Sequence, residues 1–316
     1  MSGLTVLSRD DLAADGVGSS ALERLLGTGT IVRLRPGVYV RPGSDAAAKP
    51  EEWMVARAQA LAKISRRAPL FSHLTAAALH GLPVYAPSST RVHVILDPDR
   101  PGAAADVVRH RGHVPADQIE HRRGLRCTSL ERTLSDVART AAFETAVCAL
   151  DASLRPIAVP SPGVFLPDAA AEWLERIREI ASMSAHGRTR ALRALVFADG
   201  RAQLPGESIS RIRLAELGFA PPDLQVAVPG PAGRPFYVDF GLDDVRAWGE
   251  FDGESKYRDE ALRSGLSLDE VLLREKQRED WIRGSTQRPM ARWQWTHLRS
   301  SDTLGRRLSS FGIRPR

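Results

Sequence analysis

The sequence predicts an α+β protein built from several domains, on three observations. At 316 residues it is about twice the length of a typical single domain. Its elements read helix, turn, helix, hairpin at one end and helix, strand, strand, helix, strand at the other. A Pro-rich stretch at 155–167, RPIAVPSPGVFLP, separates the two. With 43% hydrophobic residues each part can bury a core, and 44 Lys+Arg against 38 Asp+Glu leave a net charge of +6 that favours a polyanionic partner.

Residues 1–45 predict a winged helix. Ser8 caps a short helix through Leu12, Ser19 or Ser20 caps a second helix, ALERLLGTG, and the strands TIVRL and GVYVR turn about Arg35-Pro36-Gly37. In this arrangement the second helix enters a DNA major groove and the hairpin follows phosphates, which makes Ser20, Arg24, Arg33 and Arg35 the candidate DNA-binding residues, with Arg41 beside them. The second helix carries the single cation Arg24, so a winged helix serving packing or protein contact stays open as well.

Residues 46–154 form a mixed α/β middle region. The pattern predicts the helices PEEWMVARAQALAKIS and SHLTAAALHGL, strands in RVHVILD, DVVRHRGHV and GLRCTS, and a long helix behind a Thr128–Glu131 capping box. His110 and His113 sit three apart in a strand, on opposite sides, so solvated or phosphate-facing histidines are expected rather than zinc ligands. His73 and His80 share a helix face and are expected to pack. Cys127 and Cys148 lack CxxC companions and read as buried small hydrophobes. The order of winged helix, SHLTAAALHGLPVY and CTSLERTLSDVAR resembles AbiEi-type proteins, the antitoxin and regulator side of type IV toxin–antitoxin systems, over residues 4 to about 150. The resemblance implies DNA binding by the N-terminal unit, often at the protein's own promoter, with a toxin or self-association as a further partner.

Residues 155–200 read as a Pro-rich linker and helix, and 201–316 as the last domain. There, helix ESISRIRLAELGF precedes the strands PFYVDFG and VRAWGEFDG, the charged helix LDEVLLREKQREDWIRG and a strand near MARWQW whose Trp293 and Trp295 share a core face. Pairing the two strands about a turn between Asp244 and Val245 sets Asp239 opposite Glu250, with Asp252 on the same face as Glu250. Three carboxylates on one patch destabilise a sheet unless a cation joins them, and Mg²⁺ or Mn²⁺ suits such oxygen ligands. Glu207 on the preceding helix can reach the same ion. Only four lysines stand among the 44 cations, and two of them, Lys256 and Lys276, follow this patch as candidates for orienting the attacking water. Arg211, Arg213, Arg274 and Arg278 flank it.

Glu207, Asp239 and the run Glu250-Phe251-Asp252-Gly253, with SKY and REKQRED behind it, resemble the PD-(D/E)XK nuclease fold over about 204–300. The nearer likeness is to the branch related to very-short-patch repair endonucleases. That pattern implies Asp239 and Glu250 as metal ligands, Glu207 as an auxiliary acid and a restriction-endonuclease-like domain. Asp252 stands where the family's motif carries lysine. The expected function is therefore a DNA-binding, Mg²⁺-dependent endonuclease in DNA repair or in phage or plasmid defence, hydrolysing phosphodiesters with Asp252 assisting. The alternative is a transcriptional regulator or antitoxin whose nuclease fold no longer turns over. No run of about 18 apolar residues occurs and the N-terminus lacks a signal-peptide layout, so a cytoplasmic location is expected.

Overall fold

The computed structural model describes residues 4–43, 48–87, 90–96, 105–253 and 267–316, and the chain is α+β. It divides into two compact units, Met1–Ala149 with Leu174–Phe197 and Leu150–Trp173 with Ala198–Arg316. Among the described residues no helix is long and apolar enough to cross a membrane.

The first unit begins with β1 (Thr5–Ser8), α1 (Arg9–Ala14), α2 (Ser19–Gly27), β2 (Val32–Arg35) and β3 (Val38–Arg41), whose strands form a sheet in the order β1-β3-β2. Ser8 caps α1 reciprocally with Asp11, as its spacing from that acid dictates. The cap of α2 is Gly18, not a serine, and makes no side-chain bond. Leu12, Leu22, Ile31 and Tyr39 pack into a small core, leaving Ser20 and Arg24 exposed along α2. Strand β1 has no strong sequence signature and is held by pairing with β3.

The same unit continues through α3 (Pro50–Ile64), α4 (His73–Leu79) and a second sheet made of β4 (Leu70–Phe71), β5 (Val92–Leu96), β6 (Val107–Arg111), β7 (Ile119–Arg122) and β8 (Leu125–Thr128) in the order β6-β5-β4-β8-β7. Every residue of α4 is buried, which explains its alanine content. Helix α5 (Leu130–Thr140) is capped one residue later than the sequence pattern suggested: Ser129 accepts from the Arg132 N–H, while the Thr128 hydroxyl turns to Thr133 at 2.7 Å. Both cysteines are buried, and burial pushes the Cys127 thiol up to about 11.

Segment 155–200 holds a short loop at 159–166 between helices. Helix α6 (Phe143–Ala158) runs through Pro156, and α7 (Pro167–Ser182) and α8 (Arg188–Phe197) follow, with residues of the segment belonging to both units.

In the second unit α9 (Pro205–Glu216) precedes β9 (Asp223–Val228), β10 (Phe236–Leu242) and β11 (Ala247–Phe251), then α10 (Leu268–Thr286), β12 (Met290–Trp293) and α11 (Ser301–Ser309). The sheet order is β12-β11-β10-β9, antiparallel except for the parallel pair β11 and β12. Strand β9 was not legible in the sequence because DLQVAV alternates poorly and Gln225 adopts a left-handed φ of 52°. Gly249 sits mid-strand because a Cβ there would lie 2.4 Å from the Trp293 ring. Trp293 is buried, with its indole N–H donating to Ser210 Oγ at 2.7 Å. Trp295 lies past the strand end, edge-on to Phe251, so the two tryptophans do not share one strand face as expected.

Candidate active site

The β10–β11 hairpin sets the site. Its register, Leu242↔Ala247, Gly241↔Trp248 and Phe240↔Gly249, brings Asp239 and Glu250 to the next rung. The turn is a 3₁₀ segment, Asp243–Val245, closed by Arg246 in the left-handed region. Asp239 Oδ2 accepts the Phe251 N–H at 2.9 Å. Glu207, in the first turn of α9, is buried; its Oε2 accepts from the Gln203 N–H at 2.9 Å and from Gln225 Nε2 at 3.1 Å. The same Gln225 amide reaches Asp239 Oδ1 at 3.2 Å, and Gln203 Nε2 donates to Gln225 Oε1 at 2.7 Å. Gln225 thus ties the helix acid to the strand acid, and its left-handed backbone aims it there. Nothing in the sequence pattern singled it out except that it is a polar residue within an apolar strand.

Glu250 is 2% exposed. Its Oε1 accepts from an Arg278 NH at 2.5 Å, while Oε2 lies 3.5 Å from an Arg292 NH and has no hydrogen-bond partner among the described residues. Burial raises its carboxyl above the ordinary glutamate range, with Arg278 opposing. Arg292 occupies the β12 position paired with Glu250 and also meets Asp252 at 2.8 Å, Glu275 at 3.0 Å and Glu279 at 3.2 Å. Arg278 and Arg292 thus supply, from within the fold, positive charge that the clustered carboxylates require. Arg278 comes from α10, and Arg292 arrives because β12 runs parallel to β11, neither of which follows from the hairpin alone.

The structure links Glu207 to Asp239 through Gln225 and joins Asp252 to Glu250 through Arg292, with Asp239 near enough to act on the Glu250 charge. It does not bring Lys276 in: this side chain is exposed on α10, one position round from Glu275, and makes no ion pair or hydrogen bond among the described residues. Lys256 lies outside the described residues. Arg211 is spent on Asp151 at 2.8 Å, and Arg213 on Glu216 at 2.9 Å.

In the first unit Arg33 is exposed and lies over the Tyr39 ring at 5.7 Å. Arg35 is 7% exposed and ion-paired with Asp106 at 2.5 Å. It braces the chain and is not presented for phosphate contact, because the irregular β2–β3 register turns it inward. A second donor set, His73, His93 and His110, has one ring nitrogen from each within 4.8 Å of the others.

No family model matches the chain. The uncharacterized proteins MT2308 and Rv2248 of Mycobacterium tuberculosis are each 30% identical to it over 181 residues, 56% of this chain and 60% of theirs. The chain thus spans about 60% of the length of the curated relatives it matches. The crystal structure of the RV2827C protein from Mycobacterium tuberculosis aligns over 61% of this chain and 76% of its own at 18% identity, with a TM-score of 0.35, a likeness too low to carry an argument.

Proposed function

We propose that the second unit is a metal-dependent DNA nuclease of the PD-(D/E)XK type, related to very-short-patch repair endonucleases. The observation that carries this reading is the shared rung of Asp239 and Glu250, with Glu207 tied to Asp239 through Gln225. The order helix, strand, strand, helix, strand read from the sequence recurs in α9, β10, β11, α10 and β12, with β9 added ahead of β10. The donor chemistry suits a hard divalent cation: Asp239 is near enough to Glu250 to raise its carboxyl, and Glu250 Oε2 is buried without a hydrogen bond among the described residues, although no three of the acids bring their oxygens within 4.8 Å of one another. Asp239 and Glu250 would hold Mg²⁺ or Mn²⁺, which polarises a phosphoryl oxygen and acidifies water. Glu207 and Gln225 hold Asp239 in place, Arg292 orients Asp252, and the guanidinium forks of Arg278 and Arg292 suit phosphate oxygens. Of the two lysines considered for orienting the water, Lys276 is exposed on α10 and Lys256 lies outside the described residues. In the first unit, a winged helix presenting Ser20, Arg24 and Arg33 positions DNA.

The test is cleavage of plasmid, linear and single-stranded DNA by the purified chain in Mg²⁺ or Mn²⁺. Nicking that disappears in Asp239→Ala and Glu250→Gln supports the reading. Intact substrates together with unchanged metal binding in Asp239→Ala overturn it.

A second reading rests on the arginine pairing. With Arg278 and Arg292 satisfying the carboxylates and Lys276 outside the site, the fold serves a regulator or antitoxin that grips DNA without cutting it. That reading predicts sequence-specific binding to the protein's own upstream DNA and capture of a cognate toxin. A gel shift showing only sequence-indifferent, steeply salt-dependent binding counts against it.

A further inference from the structure

We propose that His73, His93 and His110 form a zinc-class transition-metal site in the first unit, with three imidazole nitrogens from three separate elements and a fourth position open to solvent or an anion.

The three rings arrive from the first residue of α4, from β5 and from β6. His93 Nδ1 and His110 Nε2 lie 2.9 Å apart, and the ring nitrogens of all three fall within 4.8 Å. A tetrahedral ion with Zn–N bonds of about 2.0–2.1 Å separates its nitrogen ligands by roughly 3.3 Å, inside that span. His73 and His110 stack with centroids 3.4 Å apart and planes 12° from parallel, which runs their in-plane lone pairs side by side; rotation about χ2, a broad torsion for histidine, has to unstack them to turn both toward one ion.

Two features point beyond packing. Ser72 stands at the N-cap of α4, where its hydroxyl would ordinarily cap the helix, yet it makes no capping bond and meets His73 Nδ1 at 2.9 Å instead. That leaves Nε2 of His73 as the nitrogen available to an ion and supplies the outer hydrogen bond that metal-bound histidines usually have. His73 itself is a non-glycine residue at a φ of 50°, a left-handed conformation that steers its ring toward the other two.

The chemistry of the surroundings agrees. Burial keeps the rings neutral, holding His93 and His110 down to about 4, so their lone pairs are not competed away by protons at neutral pH. Neutral imidazoles select zinc-class ions over Mg²⁺ or Ca²⁺. The only described cysteine of the sheet, Cys127, has its thiol raised by burial and is no thiolate donor. Helix α5 contributes Arg132 and Arg139, both bound to the buried Asp136 at 3.0 and 2.9 Å, and Arg91 acts on His93. This net positive surrounding favours an anionic fourth ligand, a hydroxide or a phosphate oxygen. His93 and His110 are half-buried, which leaves that position reachable.

The experiment uses the tag-free full chain, stripped with EDTA and titrated with Co²⁺ alone, then with Zn²⁺ in competition with a chromophoric chelator. The site predicts one equivalent of Co²⁺ with an intense visible band, displaced by Zn²⁺. His93→Ala and His110→Ala each weaken Zn²⁺ binding by at least about 100-fold, and Ser72→Ala weakens it by about 10-fold, the scale of an outer-shell loss. His113→Ala and Asp239→Asn leave the band unchanged, which separates this site from the carboxylates. Far-UV circular dichroism and melting check each variant, and His110→Gln replaces the alanine variant if the latter does not fold. Absence of a stoichiometric cobalt band in wild type, or a band that survives both His93→Ala and His110→Ala, overturns the proposal.

Discussion

Replacing Arg292 with methionine removes a cation that touches Glu250, Asp252, Glu275 and Glu279 together. Truncating one partner of a buried ion pair costs about 3–5 kcal/mol, because the remaining charges stay desolvated. The Arg292 side chain is 16% exposed and Arg278 still serves Glu250 and Glu275, so the cost falls near the lower end, about 3 kcal/mol. At about 2–4 °C per kcal/mol for a unit of this size, the melting temperature drops by about 6–12 °C. If the carboxylates accept a hard divalent ion, millimolar Mg²⁺ recovers part of that loss in Arg292→Met and does less for wild type, since the ion takes over the arginine's charge. The assay is differential scanning calorimetry with and without Mg²⁺. A drop under about 2 °C refutes the neutralising role of Arg292, and a drop indifferent to Mg²⁺ refutes the capacity of the patch to hold the ion.

Three further outcomes follow from the same geometry. Asp151 is buried and accepts from Arg211, Ser208 and the Asp199 N–H at 2.7–2.8 Å, so Asp151→Asn removes the buried negative charge opposite Arg211 and destabilises by about 3 kcal/mol in chemical denaturation; a change below about 1 kcal/mol refutes this. A Cβ on Gly206 would fall 2.1 Å from the Phe251 ring, whose own N–H binds Asp239, so Gly206→Ala costs about 1–3 kcal/mol and abolishes any metal-dependent cleavage; unaltered melting and cleavage refute it. His93 and His110 titrate near 4 in metal-free protein by side-chain NMR, below the unfolded value of about 6.5. With folded values depressed, the unfolded chain binds more protons between these limits, so their contribution to stability is full above about 6.5 and is lost as pH falls toward 4. Midpoints at or above 6 refute the burial argument.

Where local chemistry dominates, the sequence was read well. The Ser8 cap, the start of α5 and the turn that joins β10 to β11 are each specified by residues within a few positions of one another, and the hairpin register carried Asp239 and Glu250 together, whereas the single long helix expected behind Ser129 is broken at Ala141 into α5 and α6. Strands held by pairing more than by pattern were missed: β1, β4, β7 and β9 are short or poorly alternating. Thr128 and Ser129 offer equal hydroxyls for the cap of α5, and only the Thr133 contact decides between them. Arg35 read as a phosphate contact by its hairpin position, but Asp106, far along the chain, claims it.

The sequence by itself determined the α+β class, the helices with strong caps, and the pair of acidic strand residues facing one another, since these follow from periodicities and short-range bonds. Tertiary structure alone decided what surrounds those acids. The parallel docking of β12 delivers Arg292, packing of α10 delivers Arg278 while leaving Lys276 outside, and a left-handed Gln225 links Glu207 to Asp239. It likewise assembled three histidines that lie 20 and 17 residues apart in the chain. Charge neutralisation and metal-ligand convergence depend on distances of a few ångströms between elements remote in sequence, and no pattern along a single strand or helix encodes those distances.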